Sequence, residues 1–563
     1  MAEMLLDGPI STSNSTEPLL LGDEAVAQGA LDAGIAAAYG YPGTPSTEVM
    51  EYLLARAGGE AAPRVAWCAN EKSAYEQALG VSMAGRRVLA VMKHVGVNVA
   101  ADPFVNSALV EIAGGLVLAV ADDPGMASSQ NEQDTRLYAE LARVPCFEPA
   151  DPQEAYEMTR EAFDLSERFH TPVVVRLVTR LAHGRAGIRL RPARSAPAAS
   201  GPWERADWTL LPANARRRWR QVLARQPALE AWLQEGSLGG QLTLRPEGRR
   251  LGVLTAGVAR GDYLECLDEL ADKPSHLHVG AYPASSARLR RLADHVDAVL
   301  VLEEGRPILE ERLRCLVREG VDVRGRLSGH LPADGSLSTD LVRRALGLPD
   351  RRGVPAPDLA LPARPPQLCQ GCPHRDSFAA LARALEGVEG AIVPSDIGCY
   401  TLGALPPIAA IDSCVCMGAS IGMAKGVADA GLHPAVAVIG DSTFLHSGVA
   451  PLLDAAAANT PMTVLILDNS AVGMTGAQDT VVPSSHIEPL LLGLGVHPDH
   501  CRVVRAHPTK IDEMARVIRE EIDHPGLSAV VLARECIEHA RRRKADDRRG
   551  RKGRGEDERT AQV

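Results

Sequence analysis

The sequence has few aromatic residues: Phe, Trp and Tyr make up 4% of its 563 residues. A core for this chain must therefore be built mainly from Ala, Val and Leu. No apolar run is long enough to span a membrane, and no basic segment followed by an apolar one stands at the start. We therefore expect neither a membrane anchor nor a signal peptide. The net charge of −11 argues against a nucleic-acid-binding protein, whose surface would be basic.

A regular cysteine framework is also absent. The 11 cysteines are an odd number without the spacing of a disulfide scaffold, and a chain of this length can fold without covalent staples. These features predict a protein of the reducing cytoplasm. Hydrophobic residues (45%) and charged residues (23%) are in the usual range for globular proteins, and the length predicts three or four domains.

Helical patterns alternate with short β-rich runs along most of the chain, which indicates an α/β protein with mainly parallel, doubly wound sheets. Three such stretches are separated by two segments of different composition, and both ends are polar. The predicted organisation is a flexible N-terminus (1–20), a first α/β domain (21–185), a linker with one or two helices (186–249), a central α/β domain (250–347), a proline-rich linker (348–366), a third α/β domain (367–536) and a disordered basic tail (537–563).

The most informative motif is Gly440-Asp441-Ser442, with Asn469 28 positions after Asp441. Each part follows a strand-like apolar run, 435–439 and 462–467, and a helix-length segment separates the runs. Together they form a βαβ unit, and open α/β sheets bind ligands at the carboxyl ends of their strands. A carboxylate and an amide there can hold Mg²⁺ together with a diphosphate. The arrangement resembles the Mg-diphosphate motif of thiamine-diphosphate enzymes, and the resemblance implies chemistry beside a carbonyl group.

A thiamine enzyme also needs a carboxylate that hydrogen-bonds the aminopyrimidine ring, so that the cofactor can deprotonate its own thiazolium carbon. Glu71 is the candidate, because it follows the run Val65-Ala66-Trp67 and opens a helix at a strand-to-helix corner. Taken alone, a glutamate in the first turn of a helix is more simply explained by the helix dipole. Its occurrence together with the motif at Asp441 reverses that preference.

Seven motifs in a fixed order carry a resemblance to a known family. They are YPGTPSTE (41–48), NEK (70–72), SQNEQD (129–134), CQGCPHR (369–375), DIGCY (396–400), CVCMGAS (414–420), and GDS (440–442) with DN (468–469). The set resembles the α subunits of indolepyruvate:ferredoxin oxidoreductases, in the 2-oxoacid:ferredoxin oxidoreductase superfamily, over residues 20–536. The resemblance implies three domains of thiamine-diphosphate-binding type: a pyrimidine domain, a transketolase-C-like central domain and a diphosphate domain.

The resemblance also implies roles for individual residues. The side chains of Asp441 and Asn469 would bind Mg²⁺, with the Ala471 carbonyl as a third protein ligand. Glu71 would activate the aminopyrimidine, and Thr44 would face the thiazolium ring and the substrate. The other cofactor-binding residues that it implies are Gly418, Gly440, Ser442, Gly473, Met474 and Thr475.

His374 is a candidate acid/base or substrate contact, although a structural histidine explains that position at least as well. Pyruvate-specific relatives place an arginine at a strand end to hold the substrate carboxylate, and Asp122 falls in that region here. The resemblance therefore favours an aryl-pyruvate over pyruvate. The pair Cys369-x₂-Cys372, with Cys399 and with Cys414-x-Cys416, matches no standard cluster spacing, so we expect neither a metal nor a redox disulfide there.

The usual family member continues into a ferredoxin-like module with two cysteine runs, whereas Cys536 is the last cysteine of this sequence. We therefore expect no iron–sulfur cluster ligands in this chain and an external electron carrier. The resemblance implies a small β subunit (the γ-type domain), a 2-oxoacid and CoA as partners, in an α2β2 complex that oxidatively decarboxylates the acid to an acyl-CoA.

Two alternatives stay open. The first is a non-oxidative thiamine-dependent 2-oxoacid decarboxylase, a lyase that releases an aldehyde. The second is a non-catalytic subunit that keeps the fold. The second is disfavoured because Glu71, Asp441 and Asn469 are all intact.

Overall fold

The computed structural model describes residues 17–58, 62–199, 204–235, 237–351, 353 and 366–544. The chain forms two compact units. The first consists of the described parts of Met1–Tyr39, Glu48–Val65 and Glu76–Arg351, and the second of those of Gly40–Thr47, Ala66–Tyr75 and Arg352–Val563. The predicted boundaries of three domains stay a prediction. Most of the predicted N-terminal segment, proline-rich linker and basic tail lies outside the described residues.

A mainly parallel sheet forms the centre of the first unit. Among the described residues its strands are, in spatial order, Ala281–Tyr282, Cys146–Phe147, Val173–Val178, Leu116–Asp122, Val88–Lys93, Ala37–Gly40 and Arg64–Trp67. The edge strand Ala281–Tyr282 pairs antiparallel, and it comes from the stretch predicted as the central domain. Every residue of Leu116–Asp122 is buried, which explains why this strand has a continuous apolar sequence instead of an alternating one.

A second sheet of the first unit is built mainly from the stretch predicted as the central domain (250–347), and its edge strand comes from the stretch predicted as a linker (186–249). In the described part of the chain its strands are, in spatial order, Asp322–Arg324, Ala298–Leu302, Gly252–Ala256, Ser275–Val279 and Leu242–Thr243. All neighbours are parallel except the edge strand Leu242–Thr243, which is antiparallel to Ser275–Val279. The predicted α/β character of this stretch is confirmed.

A buried charge network connects the stretch predicted as the first α/β domain to the stretch predicted as the central domain. Arg136 Nη2 lies 2.6 Å from Asp134 Oδ2, and its Nη1 lies 3.0 Å from Glu303 Oε2. Arg176 Nε lies 2.6 Å from Asp122 Oδ2. Burial raises the pKa of Glu303 to about 7, although Arg136 and two backbone N–H groups favour its charged form. Buried ion pairs of this kind are costly to break one partner at a time, so the network should hold the two stretches together.

The helices of the first unit surround the two sheets and fill the predicted linker. They are Gly22–Asp32, Thr47–Leu54, Glu71–Met83 (whose first turn belongs to the second unit), His94–Val99, Ala101–Ser107, Thr135–Ala142, Pro152–Phe169, Thr179–Ala182, Arg205–Trp208, Pro212–Glu235, Ser237–Gly239 (3₁₀), Ala259–Leu267, Ser286–His295, Ile308–Arg314 and Thr339–Ala345. Arg205–Trp208 and Pro212–Glu235 are the helices predicted for the linker.

A short strand lies near the start of the described chain. Leu19–Leu21 forms a short antiparallel pair with Arg185–Gly187, so the prediction of a loose N-terminus is wrong at its last residues. Residues 1–16 lie outside the described part of the chain. The alternation that would have marked this strand is too short to detect in three residues.

A fully parallel sheet forms the centre of the second unit. Over the residues that the structure describes, its strands are, in spatial order, Ser413–Cys414, Pro394–Ser395, Val436–Gly440, Thr463–Asp468, Ser528–Ala533 and Cys501–Arg505. The chain order reverses between Pro394–Ser395 and Val436–Gly440, because the strand after Pro394–Ser395 lies on its other side. The crevice at the carboxyl ends of such a pair is the usual ligand site of a doubly wound sheet.

Successive residues along the strands of this sheet pack alternately into two separate hydrophobic cores. Val436, Val438 and Leu465 pack into a core that contains Phe378 and Met514. Their neighbours Ala437, Ile439 and Ile466 pack into another core, which contains Ile421 and Leu452. Since successive side chains of a strand point to opposite faces, helices cover both faces of the sheet. The predicted doubly wound arrangement is confirmed for this unit.

The helices of the second unit lie between and after these strands. They are Pro373–Ala384, Cys399–Ala404 (3₁₀), Ala419–Asp429, Asp441–Thr443, Phe444–Gly448 (π), Val449–Ala457, Ser484–His486 (3₁₀), Ile487–Gly493, Pro498–His500 (3₁₀), Pro508–Lys510 (3₁₀) and Ile511–Ile522, with a small antiparallel pair of strands, Ala471–Val472 and Gln478–Asp479. In the described ranges, no helix of either unit has the length and apolar character needed to cross a membrane.

The predicted disordered tail is wrong at its beginning. Residues 537–544 are helical. His539 Nε2 lies 2.8 Å from Asp479 Oδ1, and Arg542 Nη1 donates to the Gly476 carbonyl at 2.6 Å. These contacts supply the stabilisation that the charge-rich composition alone does not provide. Residues 545–563 lie outside the described part of the chain.

Candidate active site

The predicted metal-binding residues lie at the carboxyl ends of adjacent strands of the second unit. Gly440 is paired in register with Leu467, so Asp441 and Asp468 stand next to each other just beyond the pair. Asp441 is the first residue of the short helix Asp441–Thr443, and Asn469 directly follows the strand Thr463–Asp468. The prediction that these side chains meet at one sheet edge is thus supported by the strand register.

Asp441 is buried in a way that calls for a cation. Its side chain is almost fully enclosed, and Oδ2 has no hydrogen-bond partner in the described part of the chain. Burial raises the pKa of Asp441 well above its usual range, and the neighbouring carboxylate of Asp468 raises it further. A buried carboxylate oxygen without a partner is costly unless a proton or a cation neutralises it. The site therefore fits an oxygen-bound divalent cation such as Mg²⁺.

The loop after the second strand is tightly ordered by its own side chains. Asn469 Oδ1 accepts a hydrogen bond from the Ala471 N–H at 3.0 Å. Asp468 Oδ1 accepts hydrogen bonds from the Ser470 N–H at 3.0 Å and from the Ser484 hydroxyl at 2.6 Å. Asp468 and Ser484 were not predicted as site residues, and they hold the loop that carries the predicted Asn469 and Ala471.

The predicted Mg²⁺ ligands are not part of a larger cluster of His, Cys, Asp and Glu side chains in the described residues. Among the described residues, no three His, Cys, Asp or Glu side chains are grouped so that they could hold a metal ion. The predicted Mg²⁺ ligands are a carboxylate, an amide oxygen and a backbone carbonyl, a set that this finding does not address. The Mg²⁺ ligands accordingly stay a prediction, supported by the unpartnered oxygen of Asp441.

Glu71 lies in the same unit and makes a contact that the sequence did not indicate. It is the first residue of the helix Glu71–Met83 and is 5% exposed. Its Oε2 lies 2.7 Å from Nε2 of His446, which is 4% exposed and belongs to the π-helix that follows Asp441. His446 Nδ1 in turn lies 2.6 Å from the Ser447 hydroxyl. The predicted activating carboxylate is therefore held from the helix that begins at the predicted metal ligand.

Three further contacts join the segments 40–47 and 66–75 to that helix. The Asn70 side-chain amide donates to the His446 carbonyl at 3.0 Å. The Tyr41 hydroxyl lies 2.9 Å from the Ser442 hydroxyl, and the Tyr41 ring meets the His446 ring edge-on at a centroid distance of 4.7 Å. Burial raises the pKa of Tyr41, so it is a neutral hydrogen-bonding group. The two halves of the predicted site thus form one connected structure.

Thr44 lies on a tight loop of this unit. The Gly43 N–H donates to the Thr47 hydroxyl at 3.1 Å, and the Ser46 hydroxyl donates to the Gly43 carbonyl at 2.8 Å. Thr44 is half-buried between these anchored residues. Its predicted role towards the substrate stays a prediction.

His374 lies directly against Asn469. It is buried near the start of the helix Pro373–Ala384, and its Nε2 lies 3.1 Å from Asn469 Nδ2. Burial, with a smaller contribution from Arg534, lowers the pKa of His374 to about 4. At neutral pH the imidazole is uncharged, and Nε2 accepts a hydrogen bond from the Asn469 amide. This geometry favours a role in orienting Asn469 over the predicted acid/base role.

The predicted glycines allow close packing of the site's own backbone. Gly418 has φ +83°, and a Cβ there would lie 2.5 Å from Ser447 Cβ and 2.8 Å from the Ser447 carbonyl carbon. A Cβ at Gly440 would lie 2.6 Å from the Tyr400 ring, and one at Gly473 would lie 3.2 Å from Cys399 Sγ. The sequence predicted close approach of a cofactor, whereas the structure shows close approach of protein atoms at these positions.

Met474 and Thr475 lie on the hairpin after the site. Met474 is 56% exposed, and the Thr475 hydroxyl donates to Gln478 Oε1 at 2.6 Å. In this conformation, Met474 does not line an enclosed pocket. Their predicted cofactor contacts stay a prediction.

Asp396 is a buried acid of the site that the sequence reasoning left without a role. It follows the strand Pro394–Ser395 at the point where the strand order reverses, and it accepts hydrogen bonds from the Tyr400 hydroxyl and from the Ser420 hydroxyl at 2.6 Å. Burial raises its pKa to about 6. The sequence could have indicated this residue, because Asp396, in Asp396-Ile397-Gly398, directly follows a short strand.

Burial, with smaller contributions from Cys372, Cys536 and Cys369, raises the pKa of Cys399 to about 12. Cys414 and Cys416 are exposed. In the described part of the chain, no three His, Cys, Asp or Glu side chains are grouped so that they could hold a metal ion. The absence of cluster ligands stays a prediction.

Asp122 does not present a free charge. It is fully buried, and the Arg176 guanidinium and the Thr135 N–H (3.0 Å) both donate to it. We expect pyruvate-specific relatives to have a substrate-binding arginine in this region. In this chain, Asp122 is instead a structural carboxylate of the buried charge network in the first unit.

Comparisons with known proteins agree with the two halves of this site. Residues 396–532 match the family model "Thiamine pyrophosphate enzyme, C-terminal TPP binding domain", and residues 28–212 match "Pyruvate flavodoxin/ferredoxin oxidoreductase, thiamine diP-bdg". The chain is 36% identical to indolepyruvate oxidoreductase subunit IorA of Archaeoglobus fulgidus over 96% of this chain and 90% of that protein. The IorA subunit of Thermococcus kodakarensis is 34% identical over 92% and 85% of the two chains. A shorter match, at 29% identity, covers 31% of this chain and 52% of the 2-oxoglutarate synthase subunit KorA of A. fulgidus.

Proposed function

Because this chain belongs to the family of indolepyruvate oxidoreductase subunit IorA, a family of thiamine-diphosphate-dependent oxidoreductases, we propose that it oxidatively decarboxylates an arylpyruvate-type 2-oxoacid to an acyl-CoA. Indolepyruvate is the substrate that the relatives' names suggest. The buried Asp122, in place of a substrate-binding arginine, supports an aryl-pyruvate over pyruvate.

One observation carries the proposal: a single connected structure contains the buried Asp441 with an unpartnered oxygen and the buried Glu71. Tyr41 joins Ser442, and His446 joins Glu71, so the two groups that a thiamine enzyme needs are fixed relative to each other. A buried carboxylate oxygen without a partner lowers stability, and a cation bound at Asp441 would offset that cost.

The proposal assigns the cofactor to these residues. Thiamine diphosphate, when bound, supplies the nucleophilic carbon that accepts electrons when a bond beside a carbonyl is cleaved. Asp441, the Asn469 amide oxygen and the Ala471 carbonyl would hold Mg²⁺ together with the diphosphate. Asn469 Oδ1 accepts the Ala471 N–H in this structure, and His374 Nε2 accepts a hydrogen bond from the Asn469 amide nitrogen, which would leave the amide oxygen for the cation.

Glu71 and His446 handle the proton. We assign Glu71 as the carboxylate that hydrogen-bonds the aminopyrimidine ring and shares a proton with it. Its Oε2 is already engaged by His446 Nε2, which leaves Oε1 for the ring. His446 is thereby a positioning residue: it fixes the direction of the carboxylate, and Ser447 fixes the direction of the imidazole.

The oxidation needs partners. Removal of two electrons requires an acceptor, and in the proposal it is an external carrier or a partner subunit. We further propose a small β (γ-type) subunit, CoA as the acyl acceptor and an α2β2 assembly. The cytoplasmic location also remains a prediction from the sequence.

The test is an assay of the chain purified together with the proposed small β subunit. Indolepyruvate or phenylpyruvate, CoA and a viologen dye should give CO₂ and an acyl-CoA in equal amounts, with two molecules of reduced dye for each CO₂ because the dye accepts one electron. The reaction should require thiamine diphosphate and Mg²⁺. Aldehyde and CO₂ without any need for CoA or dye would identify a lyase instead. No turnover of any 2-oxoacid, with the cofactor shown to be bound, would indicate a non-catalytic subunit.

A further inference from the structure

A polar cavity of about 280 Å³ lies in the first unit and shares no residue with the candidate active site. It is bordered by the helix Ala259–Leu267, the strand Ser275–Val279 and the edge strand Leu242–Thr243. The lining residues that matter here are Arg245, Arg260, Tyr263, His276, His278 and Glu154.

The cavity has an uncompensated positive charge. Arg260 Nη1 lies 2.5 Å from Glu154 Oε1, so these two charges neutralise each other. Arg245 has no ion-pair partner among the residues that the structure describes, and its Nε is buried without a hydrogen bond. The charge of Arg245 also lowers the pKa of Tyr263 against the larger effect of burial, and it lowers the pKa of His276. A partly buried guanidinium with free donors is suited to an anion.

Two histidines of one strand face add uncharged hydrogen-bonding groups. The Thr255 hydroxyl lies 2.9 Å from His276 Nε2 and 3.0 Å from His278 Nδ1. Burial, followed by the charge of Arg260, lowers the pKa of His276 to about 4 and that of His278 to about 3. Both rings are therefore neutral at pH 7. His278 is 5% exposed, and its Nε2 has no partner in the described part of the chain.

We propose that this cavity binds the phosphoryl group of a small phosphorylated metabolite. Two guanidinium groups and neutral imidazoles offer more donors than the two oxygens of a carboxylate can use, whereas a phosphate monoester presents three acceptor oxygens. The side chains of Tyr263, Leu264 and Leu267 on the helix provide an apolar wall for the organic part. The cavity volume of about 280 Å³ is just below the range for ligand pockets, roughly 300–1,000 Å³, which suits a ligand smaller than a dinucleotide.

Isothermal titration of the full chain with inorganic phosphate, glycerol 3-phosphate and acetate tests this. Phosphate and glycerol 3-phosphate should bind saturably with one site per chain, the ester more tightly, and acetate at least about tenfold more weakly. Arg245→Gln should weaken phosphate binding by about tenfold or more, because it removes the free charge. The matched control is Arg249→Gln, which changes an exposed arginine of the same segment and should leave binding unchanged.

Arg245→Lys keeps the charge but loses the forked geometry, so its affinity should lie between those of the native chain and Arg245→Gln. Circular dichroism and the melting temperature confirm that each variant is folded. Equal phosphate affinity in the native chain and in folded Arg245→Gln, or equal affinity for acetate and phosphate, would overturn the proposal. Binding of thiamine diphosphate should be the same in all variants, so the result is independent of the proposed activity.

Discussion

Glu71 Oε2 and His446 Nε2 lie 2.7 Å apart, although 375 positions separate the two residues in the chain. Both side chains are almost completely buried. The contact joins the strand-to-helix corner of the predicted activating carboxylate to the helix that starts at the predicted metal ligand. A carboxylate held by one oxygen in this way has a defined direction for the other, which is what proton transfer to a cofactor ring requires.

His446→Phe should lower kcat by about 10- to 100-fold, with a much smaller change in KM for the 2-oxoacid, since Glu71 loses the contact that orients it. Steady-state kinetics with saturating cofactor measure this. His446→Gln, whose amide can still donate to the carboxylate, should recover part of the rate. A purely structural role predicts instead that both variants lose stability and activity together.

The matched control for this prediction is His486→Gln. His486 is an exposed histidine of the same unit, so its replacement should leave kcat and the melting temperature unchanged. If His446→Phe keeps the native kcat while remaining folded, the positioning role of His446 is wrong.

Gly418→Ala should destabilise the chain by about 2 kcal/mol or more, because an alanine at φ +83° is strained and its Cβ would collide with Ser447. The displaced Ser447 should also disturb His446 and lower kcat. Gly426→Ala is the control on the same helix: it has open space around its Cβ and should stabilise by about 0.5–1 kcal/mol. Urea unfolding of both variants decides this. Equal stability changes would contradict the close packing at Gly418.

Asp441→Asn should abolish most Mg²⁺-dependent cofactor binding, with affinity for thiamine diphosphate reduced by about tenfold or more. The native chain at about 100 times its Kd should gain about 2.7 kcal/mol of stability from the cofactor, and a tenfold loss of affinity should reduce the gain in the variant to about 1.4 kcal/mol or less. Thermal unfolding with and without thiamine diphosphate and Mg²⁺ measures both. Asp454→Asn, at an exposed position on the helix Val449–Ala457, should behave like the native chain. An unchanged gain in Asp441→Asn would remove Asp441 from the metal site.

Glu303 should make stability depend on pH. The pKa of Glu303 in the folded chain is about 7, above the ordinary value of about 4.3. Between these two pH values, Glu303 is therefore protonated in the folded chain and ionised in the unfolded chain. The contribution of Glu303 to stability is therefore present at low pH and lost as the pH rises through about 7. Glu303→Gln cannot titrate. Its stability relative to the native chain should rise between pH 5 and pH 8 by an amount on the order of 3 kcal/mol at most, measured by urea unfolding. A pH-independent difference would contradict this.

The predictable part of the site is the part encoded locally. Asp441 and Asn469 each follow an apolar run of strand length, and the rule that parallel strands end at one edge places them together. Glu71 likewise carries a local signal at its strand-to-helix corner. The doubly wound sheet of the second unit could also be predicted from local sequence. Its central strands are buried on both faces and therefore have continuous apolar sequences.

The unpredictable part depends on contacts between distant segments. His446 has no local pattern that distinguishes it from a core histidine, and its role follows only from its contact with Glu71. The helix at 537–544 was missed for a related reason: its charge-rich composition predicts disorder, and contacts with Asp479 and Gly476 outweigh that tendency.

The central claim is that Glu71 activates a thiamine diphosphate held at Asp441. Hydrogen–deuterium exchange at the thiazolium C2 of the bound cofactor, followed by NMR after acid quenching, measures this step without knowledge of the substrate. We predict that Glu71→Gln slows the exchange by about 100-fold or more while the cofactor stays bound, and that Glu76→Gln, at an exposed position on the same helix, leaves it unchanged. A native exchange rate in Glu71→Gln with the cofactor bound would contradict the account.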